Sequence, residues 1–164
     1  MIIPINRPNL FSFATSELSQ DAFLAWLLSW SSNDALRAVE AEGWHRLREA
    51  SQAFLAMLLD KAEVTTAKIV EIRLQWKNID LYFHGVDERG DPFSLVIEDK
   101  TNTQEHDQQL ERYKEIAKKE GHGNLYLVYL KTGWWSPADE RNLQGYKAIR
   151  REDVCKCLRP FSNC

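Results

Sequence analysis

The sequence predicts an α/β protein: a mixed sheet of four or five strands with helices on both faces. Three observations predict it. Apolar residues recur at helical spacing up to about residue 61, then alternate with period two from Ala67 to Lys100. The links between the alternating runs are short and hold turn-forming residues, which predicts an antiparallel meander. A helical stretch then leads into Asn124 to Lys131, a run that is apolar on both faces and therefore a central strand. Strand, helix, strand implies a right-handed crossover between parallel strands.

The elements follow in order. Residues 1 to 15 hold two prolines and no clear period, so they read as an extended lead-in. Ser16 to Trp30 carries Leu18, Ala22, Phe23, Ala25, Trp26, Leu27 and Leu28, a helix with a broad buried face. Ser16 or Ser19 offers the N-cap oxygen. Ser29 to Asn33 is a break. A second helix runs from about Asp34 or Trp44 to Lys61, with Gly43 dividing it from a shorter helix before it. Ala67 to Trp76 and Ile79 to His84 are the first two strands. Val86 to Pro92, rich in Gly, Pro and Asp, is a turn into the third strand, Phe93 to Lys100. Thr103 to Glu120 is a helix with Leu110, Tyr113, Ile116 and Ala117 as its stripe, stopped by Gly121-His122-Gly123. After the central strand, Thr132 to Gly145 is a loop, Tyr146 to Ile149 a last short strand, and Arg151 to Leu158 a terminal helix.

The chain has 164 residues, 44% of them hydrophobic and 27% charged. That is the composition of a soluble globular protein, and residues 1–164 read as one domain. No run approaches the roughly 20 apolar residues of a membrane helix. The start lacks the pattern of a signal peptide, so the expected location is cytoplasmic, with no membrane partner. Cys155, Cys157 and Cys164 are odd in number and clustered, which argues against a disulfide framework and makes a poor zinc signal. The net charge of −3 counts mildly against a nucleic-acid partner, although divalent ions neutralise clustered carboxylates locally where they bind. The cations are uneven: Lys114, Lys118 and Lys119 share one helix, and Lys147, Arg150, Arg151, Lys156 and Arg159 fill the tail. Each run reads first as a solvated face.

The chemistry concentrates at the end of the third strand, Glu98-Asp99-Lys100. Alternation sends Glu98 and Lys100 to one face and Asp99 to the other. Asp80 lies in the neighbouring strand, so two carboxylates come close together. Like charges resist sharing a site unless a cation sits between them. Hard oxygen ligands of this kind suit Mg²⁺ or Mn²⁺, with the Asp99 backbone carbonyl as a further ligand. The plainer reading is a surface aspartate beside a simple Glu–Lys pair. Gln109 and Tyr113, four apart on the next helix, share a face that looks toward the same strand end. His84 shares a face with Asp80 and reads first as a strand-end surface residue, with substrate contact as the alternative. Trp76, Trp134 and Trp135 read first as core, with base stacking beside cations as the alternative.

Ile79-Asp80, then Val96-Ile97-Glu98-Asp99-Lys100, then Gln109-Leu-Glu-Arg-Tyr113 together resemble the PD-(D/E)XK nuclease superfamily. Gln-x-x-x-Tyr is similar to the helix motif of RecB-like exonucleases. Ser16 to Leu28 resembles the opening of a branch of small bacterial and phage members. The residue before Asp80 is Ile79 rather than Pro, which is common in that branch. The resemblance covers roughly residues 11 to 158 and implies a restriction-endonuclease-like αβββαβ core. It implies Asp80 and Glu98 as metal ligands and Lys100 as the residue that positions or deprotonates the attacking water. Glu17 matches the N-terminal acidic position, and Gln109 and Tyr113 support the site from the crossover helix. The implied function is Mg²⁺-dependent (or Mn²⁺-dependent) hydrolysis of DNA by in-line attack of water, in phage defence or DNA processing, with a homodimer as one arrangement. The alternatives are an inactive nucleic-acid- or protein-binding module on the same fold, or the effector domain of a larger defence protein.

Overall fold

A computed structural model describes residues 20–32, 42–62, 65–100, 108–141, 143 and 145–162, without the side chains of 42, 43 and 141. Its elements are α1 (Gln20–Ser29), α2 (Glu42–Leu58), β1 (Lys68–Trp76), β2 (Ile79–Val86), β3 (Pro92–Lys100), α3 (Gln109–Glu120), β4 (Asn124–Lys131), α4 (Pro137–Arg141), β5 (Lys147–Arg150) and α5 (Arg151–Leu158), followed by a 3₁₀ turn at Arg159–Phe161. One five-stranded sheet has the order β1-β2-β3-β4-β5. β1, β2 and β3 pair antiparallel, whereas β3–β4 and β4–β5 are parallel. This is the meander followed by a helical crossover that the change of period predicts. No helix among the described residues is long and apolar enough to cross a membrane.

β3 is the middle strand, and its sequence shows why. Phe93, Leu95, Val96 and Ile97 are all buried, so both faces of the strand are covered. Burying one such side chain fully is worth about 1.5–3 kcal/mol. On one face Leu95 and Ile97 join Leu81, Phe83, Val128 and Leu130 beneath α1 and α2. On the other face Val96 joins Tyr82 and Tyr129 beneath Leu110, Tyr113 and Ala117 of α3. The first face is aliphatic and the second rich in tyrosine.

Two details differ from the sequence reading. Gly43 lies in the first turn of α2 rather than before it, and the shorter helix expected ahead of it lies outside the described residues. The expected loop at 132–145 contains α4, started by Ser136, whose hydroxyl accepts the Asp139 N–H at 3.2 Å, with Pro137 as the first helical residue. On the face that carries Asp80, Tyr82 is fully buried. His84 accompanies it only at the far end, stacked on His122 with ring centroids 4.1 Å apart. The glycines that end α3 are used as expected. Gly121 takes φ 78° at the C-cap, and a Cβ on Gly123 would lie 1.9 Å from the Pro92 carbonyl oxygen. Among the described residues, five of the eight cations of the surface runs are paired nearby: Lys114 with Glu111, Lys118 with Glu115, Lys147 with Asp60, Arg150 with Glu140 and Arg151 with Glu152.

Candidate active site

The site forms where β3 runs out of apolar residues. Ile97 is the last buried hydrophobe, and Glu98, Asp99 and Lys100 follow. Alternation then divides them between the two helical layers. Glu98 and Lys100 face α3, and Asp99 faces α1. β2 begins beside this strand end, because the antiparallel register pairs Leu81 with Ile97. The Asp99 N–H donates to Asp80 Oδ2 at 3.1 Å, which fixes the first carboxylate against the strand that bears the second.

Lys100 Nζ lies 2.5 Å from Glu98 Oε1 and 3.9 Å from Asp80 Oδ2, so one ammonium spans both carboxylates. From α3, Gln109 Nε2 donates to Glu98 Oε1 at 3.0 Å and to Tyr113 Oη at 2.6 Å. Tyr113 is itself core, which anchors the amide that reaches Glu98. Gln75 Nε2 donates to Asp80 Oδ1 at 3.1 Å from the β1–β2 hairpin. In that hairpin Gln75, Lys77 and Asn78 all have positive φ, 50°, 53° and 67°. A two-residue loop of type I′ takes positive φ at both central positions, which matches the strand twist, and Lys77 and Asn78 supply it without glycine. Left-handed non-glycine backbone costs of order 1 kcal/mol or more and gathers at functional sites. Here it gathers beside Asp80.

The electrostatics are strained. Glu98 is wholly buried, and its carboxyl is pushed up to about 7, first by burial and then by the charge of Asp80, against the opposing pull of Lys100. The Asp99 carboxyl is also pushed up to about 7, by burial and by Asp21 and Asp80, although the Gln20 amide donates to it. Burial pulls the Lys100 ammonium down, but the Glu98 hydrogen bond and the charges of Glu98 and Asp80 outweigh this and hold it above its ordinary value.

Among the described residues Glu98 Oε2 is buried with no hydrogen-bond donor, and the Asp80 carboxylate beside Glu98 raises its carboxyl rather than meeting its charge. A charged oxygen is rarely left that way, because desolvating it without a partner costs several kcal/mol. A divalent cation would satisfy it and quiet the repulsion between the two carboxylates, so the donor set fits one. Among the described residues no group of three or more His, Cys, Asp and Glu side chains is placed to hold a metal. Two carboxylates suit Mg²⁺, which keeps several waters and is commonly held through one or two of them. The Asp99 side chain is turned toward Gln20, which leaves only its main-chain carbonyl for the role expected of it.

Asp80, Glu98, Lys100, Gln109 and Tyr113 are thus brought together. Glu17 lies outside the described residues. His84 is not part of the cluster: it pairs with Ser94, and its Nδ1 lies 3.1 Å from the Phe93 carbonyl oxygen, toward the other end of β3. Three features escaped the sequence reading. Gln20 links Asp99 to Thr132, whose hydroxyl donates to Gln20 Oε1 at 2.5 Å. Gln75 holds Asp80. Lys131 stands beside Lys100 in the β3–β4 register and is buried against Asp139, with Nζ 2.9 Å from each carboxylate oxygen. The capping pattern Ser136-Pro137-x-Asp139 was the available signal for the last. A glutamine at the start of an apolar helix carries none.

The part-exposed Asp80, the buried Glu98 and Lys100 meet at adjoining strand ends, on a β-meander with a helical crossover, and define an α/β scaffold with an acidic site at its strand ends. The family model of the PD-(D/E)XK nuclease superfamily matches residues 8–153, and the chain belongs to that superfamily. Its sheet and flanking helices are those of the restriction-endonuclease-like fold. No curated protein and no solved structure matches it.

Proposed function

We propose that this protein is a nuclease that hydrolyses DNA phosphodiester bonds with Mg²⁺ or Mn²⁺. The observation that carries the reading is Glu98: a buried carboxylate with one oxygen unpartnered among the described residues, a second carboxylate beside it and a lysine across both. An ordinary structural ion pair does not leave a buried carboxylate oxygen unmet. In this reading Asp80 and Glu98 hold the cation, with the Asp99 main-chain carbonyl as a further oxygen and Glu17 as an outer acidic residue. Bound there, a divalent cation supplies a lowered water pKa and positive charge against the scissile phosphate. Lys100 orients the attacking water and offsets charge on the phosphate. Gln109 fixes the Glu98 carboxylate from one side, and Gln75 steadies Asp80 from the other.

The test is a cleavage assay on linear, circular and single-stranded DNA and on RNA, with Mg²⁺, Mn²⁺ or EDTA. Cleavage of DNA is expected only with metal. Lys100→Ala should lower it about 10²–10⁴-fold, the range for a positioned proton-handling group, without unfolding the protein. Loss of the circular substrate would mark an endonuclease. A folded wild-type protein that cuts nothing in either metal would sink the reading in favour of a binding module.

A further inference from the structure

Trp134 is the most exposed large hydrophobic residue among the described ones, at 75%. The other tryptophans near the site are engaged. Trp135 donates its indole N–H to the Lys131 carbonyl at 3.1 Å, meets Tyr129 edge-on and carries the Arg150 guanidinium 4.8 Å over its ring. Trp76 has Arg73 and Lys77 over its ring, at 4.7 and 4.3 Å. Trp134 makes no hydrogen bond and no ring or cation contact among the described residues, so its faces are open.

Its loop is not loose. On one side the Thr132 N–H donates to the Lys100 carbonyl at 3.2 Å, and the Thr132 hydroxyl is bound by Gln20. On the other side Trp135 is pinned to Lys131. Ser136 donates its N–H and hydroxyl to Asp139, each at 2.7 Å, while Asp139 holds Lys131. An open indole is thus carried on a braced loop that is hydrogen-bonded to the strand end bearing Lys100. Trp134 lies two positions after Thr132, a backbone reach of at most about 7 Å. Leaving a tryptophan this exposed forfeits burial that its neighbour Trp135 obtains.

We propose that Trp134 is the stacking residue for a nucleobase close to the scissile phosphate, and that the substrate offers an unstacked base there: a single strand, an overhang or a frayed end. The inference rests on the nuclease reading and narrows its substrate. An indole accepts any base, because every base has a π-face. Inside a duplex both faces of each base are covered by neighbours, so only unpaired or terminal bases can meet the ring. The net charge of −3 and the internally paired surface cations leave little nonspecific attraction for phosphates, which raises the share of binding that stacking must carry.

The experiment uses the full chain in a Lys100→Ala background, so that nothing is cut, in Mg²⁺. Binding of a fluorescent 12-nucleotide single strand is compared with that of a blunt duplex, for Trp134 and for Trp134→Ala and Trp134→Phe. Trp134→Ala should weaken single-strand binding about 5- to 100-fold, the effect of losing one stacked base. Trp134→Phe should keep most of it. The blunt duplex should change little, and the salt dependence should not change, because no charge is removed. Scanning an abasic site along the strand should find one position where Trp134 and Trp134→Ala bind alike. Equal single-strand binding by Trp134→Ala would overturn the proposal. So would a loss that tracks a change from dimer to monomer in sedimentation, which would make the residue an interface between copies. If the otherwise wild-type protein neither cuts nor binds any nucleic acid, the nuclease reading itself fails, and this inference with it.

Discussion

At the scale of single residues, Glu98 is the place where stability and function oppose each other. Its carboxyl titrates near 7 in the folded chain and near the ordinary value of 4.5 when unfolded. Between those values the folded state holds a proton that the unfolded state has released, so stability falls as pH rises through the window. In metal-free protein at pH 8 the ionised, buried Glu98 therefore costs roughly 1–3 kcal/mol. Glu98→Gln removes the charge and keeps the shape. It should abolish cleavage, yet melt a few degrees above wild type in EDTA at pH 8. The gain should vanish near pH 5, where wild-type Glu98 is protonated. Melting curves at the two pH values check this, and a variant less stable than wild type at pH 8 would show that Glu98 is a structural ion pair after all. The sequence already contained this much of the site: alternation alone places Glu98 and Lys100 side by side on a strand with Val96 beneath them. It did not contain the unpartnered oxygen, which depends on what α3 and β2 leave uncovered.

At the scale of elements, the buried pair of Lys131 and Asp139 ties β4 to α4. Asp139 also accepts from Tyr129 and twice from Ser136. Burial alone would raise its carboxyl, but the Lys131 ammonium and the Ser136 donors prevail and hold it below the ordinary carboxylate value. A depressed carboxylate contributes stability above the unfolded pKa of about 3.9 and loses it as pH falls through the lower folded value. Asp139→Asn leaves a buried ammonium unpaired and should cost about 3–5 kcal/mol at pH 7. Lys131→Met with Asp139→Leu should recover most of that loss and show a flatter acid limb than wild type between pH 4 and pH 2.5. Urea titrations across that range measure both. The pair also neutralises Lys131, which leaves Lys100 as the cation facing the two carboxylates. Such a contact is hard to read from sequence. Lys131 ends an apolar strand as a solvated lysine would, and Asp139 stands in what reads as a loop. His84 fits its first reading as a strand-end residue better than the alternative of substrate contact. It has the right parity to share the face of Asp80, but four residues of strand, about 13 Å, separate the two.

At the scale of the whole molecule, the candidate site is a joint between layers. Glu98 is held by α3 on the tyrosine-rich face, and Asp99 by α1 on the aliphatic face. Gln20 joins positions separated by 79 and by 112 residues in the chain. The geometry that gathers the carboxylates therefore exists only when the sheet and both helical layers are assembled, and an unfolded chain presents no comparable site. A cation that binds such a site stabilises the folded state by RT ln(1 + [L]/Kd), about 2.7 kcal/mol at a hundred times Kd. For a chain of this length each kcal/mol moves the melting temperature by about 2–4 °C. Mg²⁺ or Mn²⁺ at that excess should raise the wild-type melting temperature by about 5–10 °C at pH 8. Tryptophan fluorescence and far-UV circular dichroism should move together, because α1, α3 and the sheet are all held by the same strand end. Glu98→Gln should lose the shift while keeping its higher metal-free melting point. Calcium, which tolerates looser oxygen cages, should also stabilise wild type if the two carboxylates are the anchor. An equal metal-induced shift in Glu98→Gln would place the cation elsewhere and remove the central support for metal-dependent hydrolysis at Asp80 and Glu98.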